Sequence, residues 1–89
     1  MEGFVYILQS IKNGSYYIGS SIDYNERLEY HNSGKVNATR NKGPWEIKFF
    51  QKYPEIKIAR QIEYKLKKLK RRDIIERIIN EGIIKLNTD

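Results

Sequence analysis

Eighty-nine residues are enough for one compact domain and too few for two. The absence of cysteine and the presence of a single histidine, His31, exclude disulfides, cysteine-based zinc sites and any multi-histidine metal centre. Net charge is +6, and neither a signal peptide nor a run of about 20 apolar residues is present, so a soluble, cytoplasmic protein with no membrane partner is expected.

The chain shows no repeat or low-complexity tract, so residues 1–89 are expected to form one domain. Phe4-Val5-Tyr6-Ile7-Leu8 and Tyr16-Tyr17-Ile18 are apolar runs rich in β-formers. Asn13-Gly14 between them signals a two-residue hairpin turn, which pairs Lys12 with Ser15, Ser10 with Tyr17 and Leu8 with Gly19. Asp23 is placed to cap a helix, with Glu26 completing a capping box and Gly34 ending it near Ser33. Residues 35–44 read as a polar loop, and Trp45–Tyr53 as a third strand stopped by Pro54. Ile56, Ala59, Ile62, Leu66 and Leu69 recur at helical spacing. Ile74, Ile75, Ile78 and Ile79 mark a further helix after a bend near Arg71-Arg72-Asp73, with Asp73 as its candidate cap. The order β-β-α-β-α-α predicts an α+β domain with helices packed on an antiparallel sheet.

The charge excess is concentrated. Between Glu55 and Arg72 there are eight cations and two acids, whereas the remainder of the chain is neutral. Such a segment is the electrostatic footprint of a phosphate-binding surface, although a solvated lysine-rich helix face is the plainer reading. Lys65, Lys67, Lys68, Lys70 and Arg71, with Lys35 and Arg40 from the loop, are the candidate nucleic-acid contacts.

Candidate chemistry is sparse, and each residue has an ordinary alternative. Strand alternation puts Tyr6 and Tyr17 on one face, with Tyr17 four residues along from Tyr6, but tyrosine is also a common strand residue. Arg27 and His31 are one helical turn apart. Beside a phosphate they make a charge clamp and a proton carrier; otherwise Arg27 pairs with Asp23 and His31 is a solvated helix-end residue. Glu63 lies at the edge of the apolar stripe, able to hold Mg²⁺ or to pair with Lys67. No Gly-rich phosphate loop is present, and the serines have no Asp–His partners for acyl transfer.

Together these residues resemble the GIY-YIG nuclease superfamily. Its name-giving tripeptides correspond to Phe4-Val5-Tyr6, which keeps only the tyrosine, and to Tyr17-Ile18-Gly19, which is a literal match. The arginine of the family's helix matches Arg27, the His or Tyr one turn later matches His31, and the glutamate of the later helix matches Glu63. The likeness runs over nearly the whole chain. It is similar to the small stand-alone bacterial members in its His31-Asn32-Ser33-Gly34 segment and its Thr39-Arg40 pair.

The resemblance implies a three-stranded antiparallel sheet flanked by helices and hydrolysis of DNA phosphodiester bonds with one Mg²⁺ or Mn²⁺. It implies Glu63 as the metal ligand, Arg27 as the group stabilising the transition state, and Tyr17, Tyr6 or His31, with Tyr17 preferred, handling the water. Ser20 stands where several branches carry a lysine, leaving a tyrosine base without its usual cation. The expected partner is DNA, although backbone contacts alone do not separate it from RNA. A monomer is expected; because larger members obtain specificity from an attached module, the alternatives for a minimal domain are that it acts on DNA structure, acts weakly or depends on a protein partner. The competing readings are a catalytically weak or inactive nucleic-acid-binding module on the same scaffold and a protein-interaction module using the basic helix.

Overall fold

A computed structural model describes residues 1–86 and contains β1 (Gly3–Ser10), β2 (Tyr16–Ser21), α1 (Tyr24–Asn32), β3 (Trp45–Tyr53), α2 (Ile56–Leu69) and α3 (Arg72–Glu81). The three strands form one antiparallel sheet in the order β2-β1-β3. β1 is apolar on both faces, as a central strand buried on both sides must be. The α+β class and the β-β-α-β-α-α order expected from the sequence are those of the structure.

One face of the sheet packs against α2 and α3, where Val5, Ile7, Ile18 and Phe49 meet Ala59, Ile62, Leu66, Ile75 and Ile78. The other face carries Tyr6, Leu8 and Trp45 against Tyr24 and Leu28 of α1. A register irregularity pairs Ile7 with Phe49 but Leu8 with Ile47. The extra residue, Lys48, sends Trp45 and Ile47 to the α1 face and Phe49 to the other.

The hairpin departs from the expected turn. Gly14 has φ +77° but Asn13 is not left-handed, so the type I′ turn that Asn-Gly favours does not form. Ser10 instead pairs with Ser15 across a four-residue loop, its amide donating to the Ser15 carbonyl at 2.8 Å. The Ser10 hydroxyl accepts from the amides of Lys12 and Asn13, both at 3.1 Å, and the Asn13 side chain accepts from the Ser15 amide at 3.0 Å. These local bonds outweigh the turn preference. Tyr17 therefore lies opposite Leu8 rather than Ser10, and Gly19 opposite Tyr6 rather than Leu8. A two-residue slip keeps every side chain on its expected face and brings Tyr17 about 7 Å closer to Tyr6 along the strand.

Asp23 caps α1 by accepting from the Glu26 amide at 3.1 Å. The return arm of the capping box is supplied by Ser21, whose hydroxyl accepts from the Asp23 amide at 3.0 Å. Within the loop, Asn37–Thr39 forms a 3₁₀ turn. Asn32 clips the end of α1 to the start of β3, accepting from the Trp45 amide at 2.6 Å and donating to the Trp45 carbonyl at 3.1 Å. The break between α2 and α3 falls at Lys70, which is left-handed at φ +52°, earlier than the expected bend. Asp73 is not the cap of α3. It sits in the first turn, where its carboxylate takes the Arg71 guanidinium at 2.6 and 3.1 Å.

Candidate active site

The α1 face of the sheet and the edge of β2 together gather the tyrosines, the arginine, the histidine and the glutamate picked out in the sequence. Tyr6 is 1% exposed, and its ring lies across Gly19 on the neighbouring strand; a Cβ there would overlap the ring carbon and hydroxyl oxygen of Tyr6. Gly19 thus serves a close approach within a strand, not a turn. The Tyr6 hydroxyl reaches Nε2 of His31 at 3.1 Å, and Nδ1 of His31 reaches the Thr39 hydroxyl at 2.8 Å.

The direction of these bonds follows from the far end. Thr39 has one hydroxyl hydrogen, which it donates to the Val36 carbonyl at 3.3 Å. It must therefore accept from Nδ1–H of His31, which leaves Nε2 as the acceptor for the Tyr6 hydroxyl. Burial, followed by the positive charges of Arg27 and Lys67, lowers the His31 pKa to about 4, in agreement with a neutral ring. Burial likewise raises Tyr6 to about 12, opposed by the hydrogen bond and charge of Arg27 and reinforced by Tyr17 and Glu63. Tyr6 and His31 form a neutral, fully engaged pair. The alternative of a solvated helix-end His31 is excluded, because the residue is 1% exposed. Helix position alone does not reveal that the loop folds back over it.

Tyr17 is only part-buried. Its ring centroid is 4.6 Å from that of His31 and 6.5 Å from that of Trp45, and the Lys67 ammonium lies 5.0 Å over it. Arg27 makes no ion pair with Asp23. Its guanidinium lies 5.4 Å over the Tyr30 ring and acts on both Tyr6 and His31. Glu63 reaches the same locality from α2. One carboxylate oxygen takes the Ser20 hydroxyl, and the other takes the Lys67 ammonium at 2.7 Å. Position 20 thus carries a hydroxyl that anchors Glu63, while α2 supplies a cation over Tyr17.

The basic segment divides between two sides of α2. Lys67, Lys70 and Arg71 line a cleft of about 350 Å³ beside Tyr16 and Tyr17, joined by Arg72, whose guanidinium lies 4.8 Å over the Tyr16 ring. Lys65 and Lys68 instead share a groove with Lys57, Arg60 and Tyr64 on another side of the helix. Lys35 shares a pocket with Arg27 and Tyr30, its ammonium 5.3 Å over the Tyr30 ring. Arg40 is directed to the Gly34 carbonyl, donating at 2.9 Å, and so closes the loop.

Thr39, Ser20 and Trp45 also contact the candidate residues, directly or through one another, and none of them stands out as a candidate in the sequence. Thr39 is 1% exposed, and the indole N–H of Trp45 donates to its carbonyl at 3.2 Å. The Thr39-Arg40 pattern was the only signal for the first, and none existed for Ser20, whose partner lies 43 residues away. Among the described residues, no group of three or more His, Cys, Asp or Glu side chains could hold a metal.

Residues 2–77 match the profile of the GIY-YIG catalytic domain. UPF0213 protein BH0048 of Halalkalibacterium halodurans is 38% identical over 73 residues, covering 81% of this chain and 77% of that one. A UPF0213 protein of Streptococcus pneumoniae is 37% identical over 71 residues (79% and 71% of the two chains), and UPF0213 protein YhbQ of Escherichia coli is 32% identical over 82 residues (91% and 80%). The solution NMR structure of the BH0048 protein superposes with a TM-score of 0.57 at 35% identity, covering 92% of this chain and 87% of that one. On its sequence, its strand order and the residues gathered at its sheet, the chain belongs to the GIY-YIG nuclease family.

Proposed function

We propose that this protein is a divalent-metal-dependent endonuclease that hydrolyses DNA phosphodiester bonds. The observation that carries this reading is the convergence of Tyr17, Arg27 and Glu63 around a buried, neutral Tyr6–His31 pair, beside a cleft rimmed by Lys67, Lys70 and Arg71.

Glu63 is the group that would hold the metal. A single, partly exposed carboxylate that holds one hydroxyl, of Ser20, and one ammonium, of Lys67, suits a hard cation such as Mg²⁺ or Mn²⁺, which takes one or two carboxylates and fills its other positions with water and substrate phosphate. When bound there, the ion neutralises charge on the scissile phosphate and on the leaving oxygen.

The chain's own residues do the rest. Arg27 presents its guanidinium to the non-bridging oxygens, where negative charge grows in the transition state. Both nitrogens of His31 are engaged, and the Tyr6 hydrogen is given to His31, so neither is free to take a proton from water. Tyr17, part-exposed and beneath Lys67, is the group that positions the attacking water. The water oxygen forms the new bond to phosphorus as the bond to the leaving sugar oxygen breaks; the proton released by the attacking water passes to solvent, and the leaving oxygen takes one from solvent. Lys35, Lys67, Lys70 and Arg71 hold the flanking phosphates on either side.

Supercoiled, single-stranded and branched DNA incubated with the protein in Mn²⁺, Mg²⁺ or EDTA test this reading. Cutting that requires the metal is expected. Salt-sensitive binding that EDTA leaves unchanged, with no product at high protein concentration, would replace the nuclease with a nucleic-acid-binding module.

A further inference from the structure

Both carboxylate oxygens of Glu63 are engaged in this structure. Oε1 takes the Ser20 hydroxyl, and Oε2 takes the Lys67 ammonium at 2.7 Å. The two ends of the ion pair differ in freedom: the Glu63 side chain is 20% exposed, whereas that of Lys67 is 44% exposed. Lys67 also lies 5.0 Å over Tyr17 and lines the cleft that holds Lys70, Arg71 and Arg72. One ammonium therefore stands between the proposed metal ligand and the proposed path of the DNA backbone.

Resting on the metal-binding reading of Glu63, we propose that Lys67 is a displaceable counter-ion. In the free protein it occupies the carboxylate oxygen that the metal needs. In the complex a DNA phosphate draws it off, leaving Glu63 open to the cation. A divalent ion approaching Glu63 in the absence of DNA must displace an ammonium and tolerate it nearby, and both effects weaken binding. Movement of Lys67 onto a phosphate removes that penalty, so DNA raises metal affinity, and by linkage the metal raises DNA affinity by the same factor. Metal loading is thereby coupled to substrate arrival, beyond any direct bridging of metal and phosphate.

Mn²⁺ binding followed by electron paramagnetic resonance, with no DNA present, tests this independently of cleavage. Lys67→Met keeps an unbranched apolar stem against Tyr17 and removes the charge; it should bind Mn²⁺ about tenfold more tightly than wild type. Lys67→Arg keeps the ion pair and should match wild type. Adding a cleavage-resistant phosphorothioate oligonucleotide should raise Mn²⁺ affinity in wild type and raise it about tenfold less in Lys67→Met. Equal Mn²⁺ affinity for wild type and Lys67→Met, with Glu63→Gln weakening both, would overturn the role of Lys67 while leaving the metal site intact. Mn²⁺ affinity indifferent to Glu63→Gln would overturn both.

Discussion

Both ring nitrogens of His31 are committed, Nδ1–H to Thr39 and Nε2 to the Tyr6 hydroxyl, and the imidazole is held neutral to about pH 4. Because the chain has one histidine, its ¹⁵N spectrum reports this ring alone. The Nδ1–H tautomer is expected, with no titration between pH 5 and 7; titration near the ordinary histidine value would contradict the geometry. The same shift sets a pH dependence of stability. Between the unfolded value of 6.5 and the folded value of about 4, the unfolded chain binds a proton that the native one refuses. Stability from this group is therefore complete above pH 6.5 and is lost as pH falls through that window, by an amount on the order of 3 kcal/mol. Denaturant unfolding across that range, compared with His31→Gln, measures it. At the neighbouring strand, Gly19→Ala forces a methyl into the Tyr6 ring, which should cost about 1–3 kcal/mol and move the Tyr6–His31 pair. Thermal unfolding and the His31 resonances read the two effects separately. Tyr6, Tyr17, Arg27, His31 and Glu63 stood out as candidates in the sequence through their match in type and order to the family pattern, and the fold brings them to one locality. Thr39 and Ser20 did not stand out, because their value comes from contacts made only once loop and register are set.

The elements themselves were legible from periodicity, and β3 falls on the expected residues. What pattern could not settle was how they join. In the hairpin, hydrogen bonds from Ser10 and Asn13 override an Asn-Gly preference, and the even slip preserves faces while changing partners. At the α2–α3 joint, apolar spacing located both helices but not the left-handed residue between them. That residue is Lys70, a side-chain-bearing position in a conformation that costs an ordinary residue about 1 kcal/mol. Lys70→Gly should raise stability by about 0.5–1 kcal/mol while weakening DNA binding, since the lost ammonium lines the cleft beside Tyr17. Chemical denaturation and fluorescence anisotropy on the same variant check both signs. A destabilised Lys70→Gly would place the joint's strain elsewhere.

Across the whole molecule, the +6 charge resolves into separate surfaces, a division invisible while the cations were only neighbours in sequence. If the cleft beside Tyr17 carries the DNA backbone, Lys70→Ala with Arg71→Ala should weaken binding about tenfold and flatten its salt dependence by about two in log–log slope. Lys57→Ala with Arg60→Ala, on the other groove, should change affinity less than about twofold. Anisotropy titrations over a range of KCl, in EDTA, separate these outcomes, and equal losses would make the charge diffuse rather than directed. If Glu63 holds the ion on which cutting depends, single-turnover cleavage in Mn²⁺ with protein in excess reads that role most directly. Glu63→Gln keeps the shape of the side chain and should cut about a thousandfold or more slowly than wild type, a loss of about 4 kcal/mol in transition-state stabilisation, with its unfolding temperature little changed. Cleavage by folded Glu63→Gln at the wild-type rate would contradict the account.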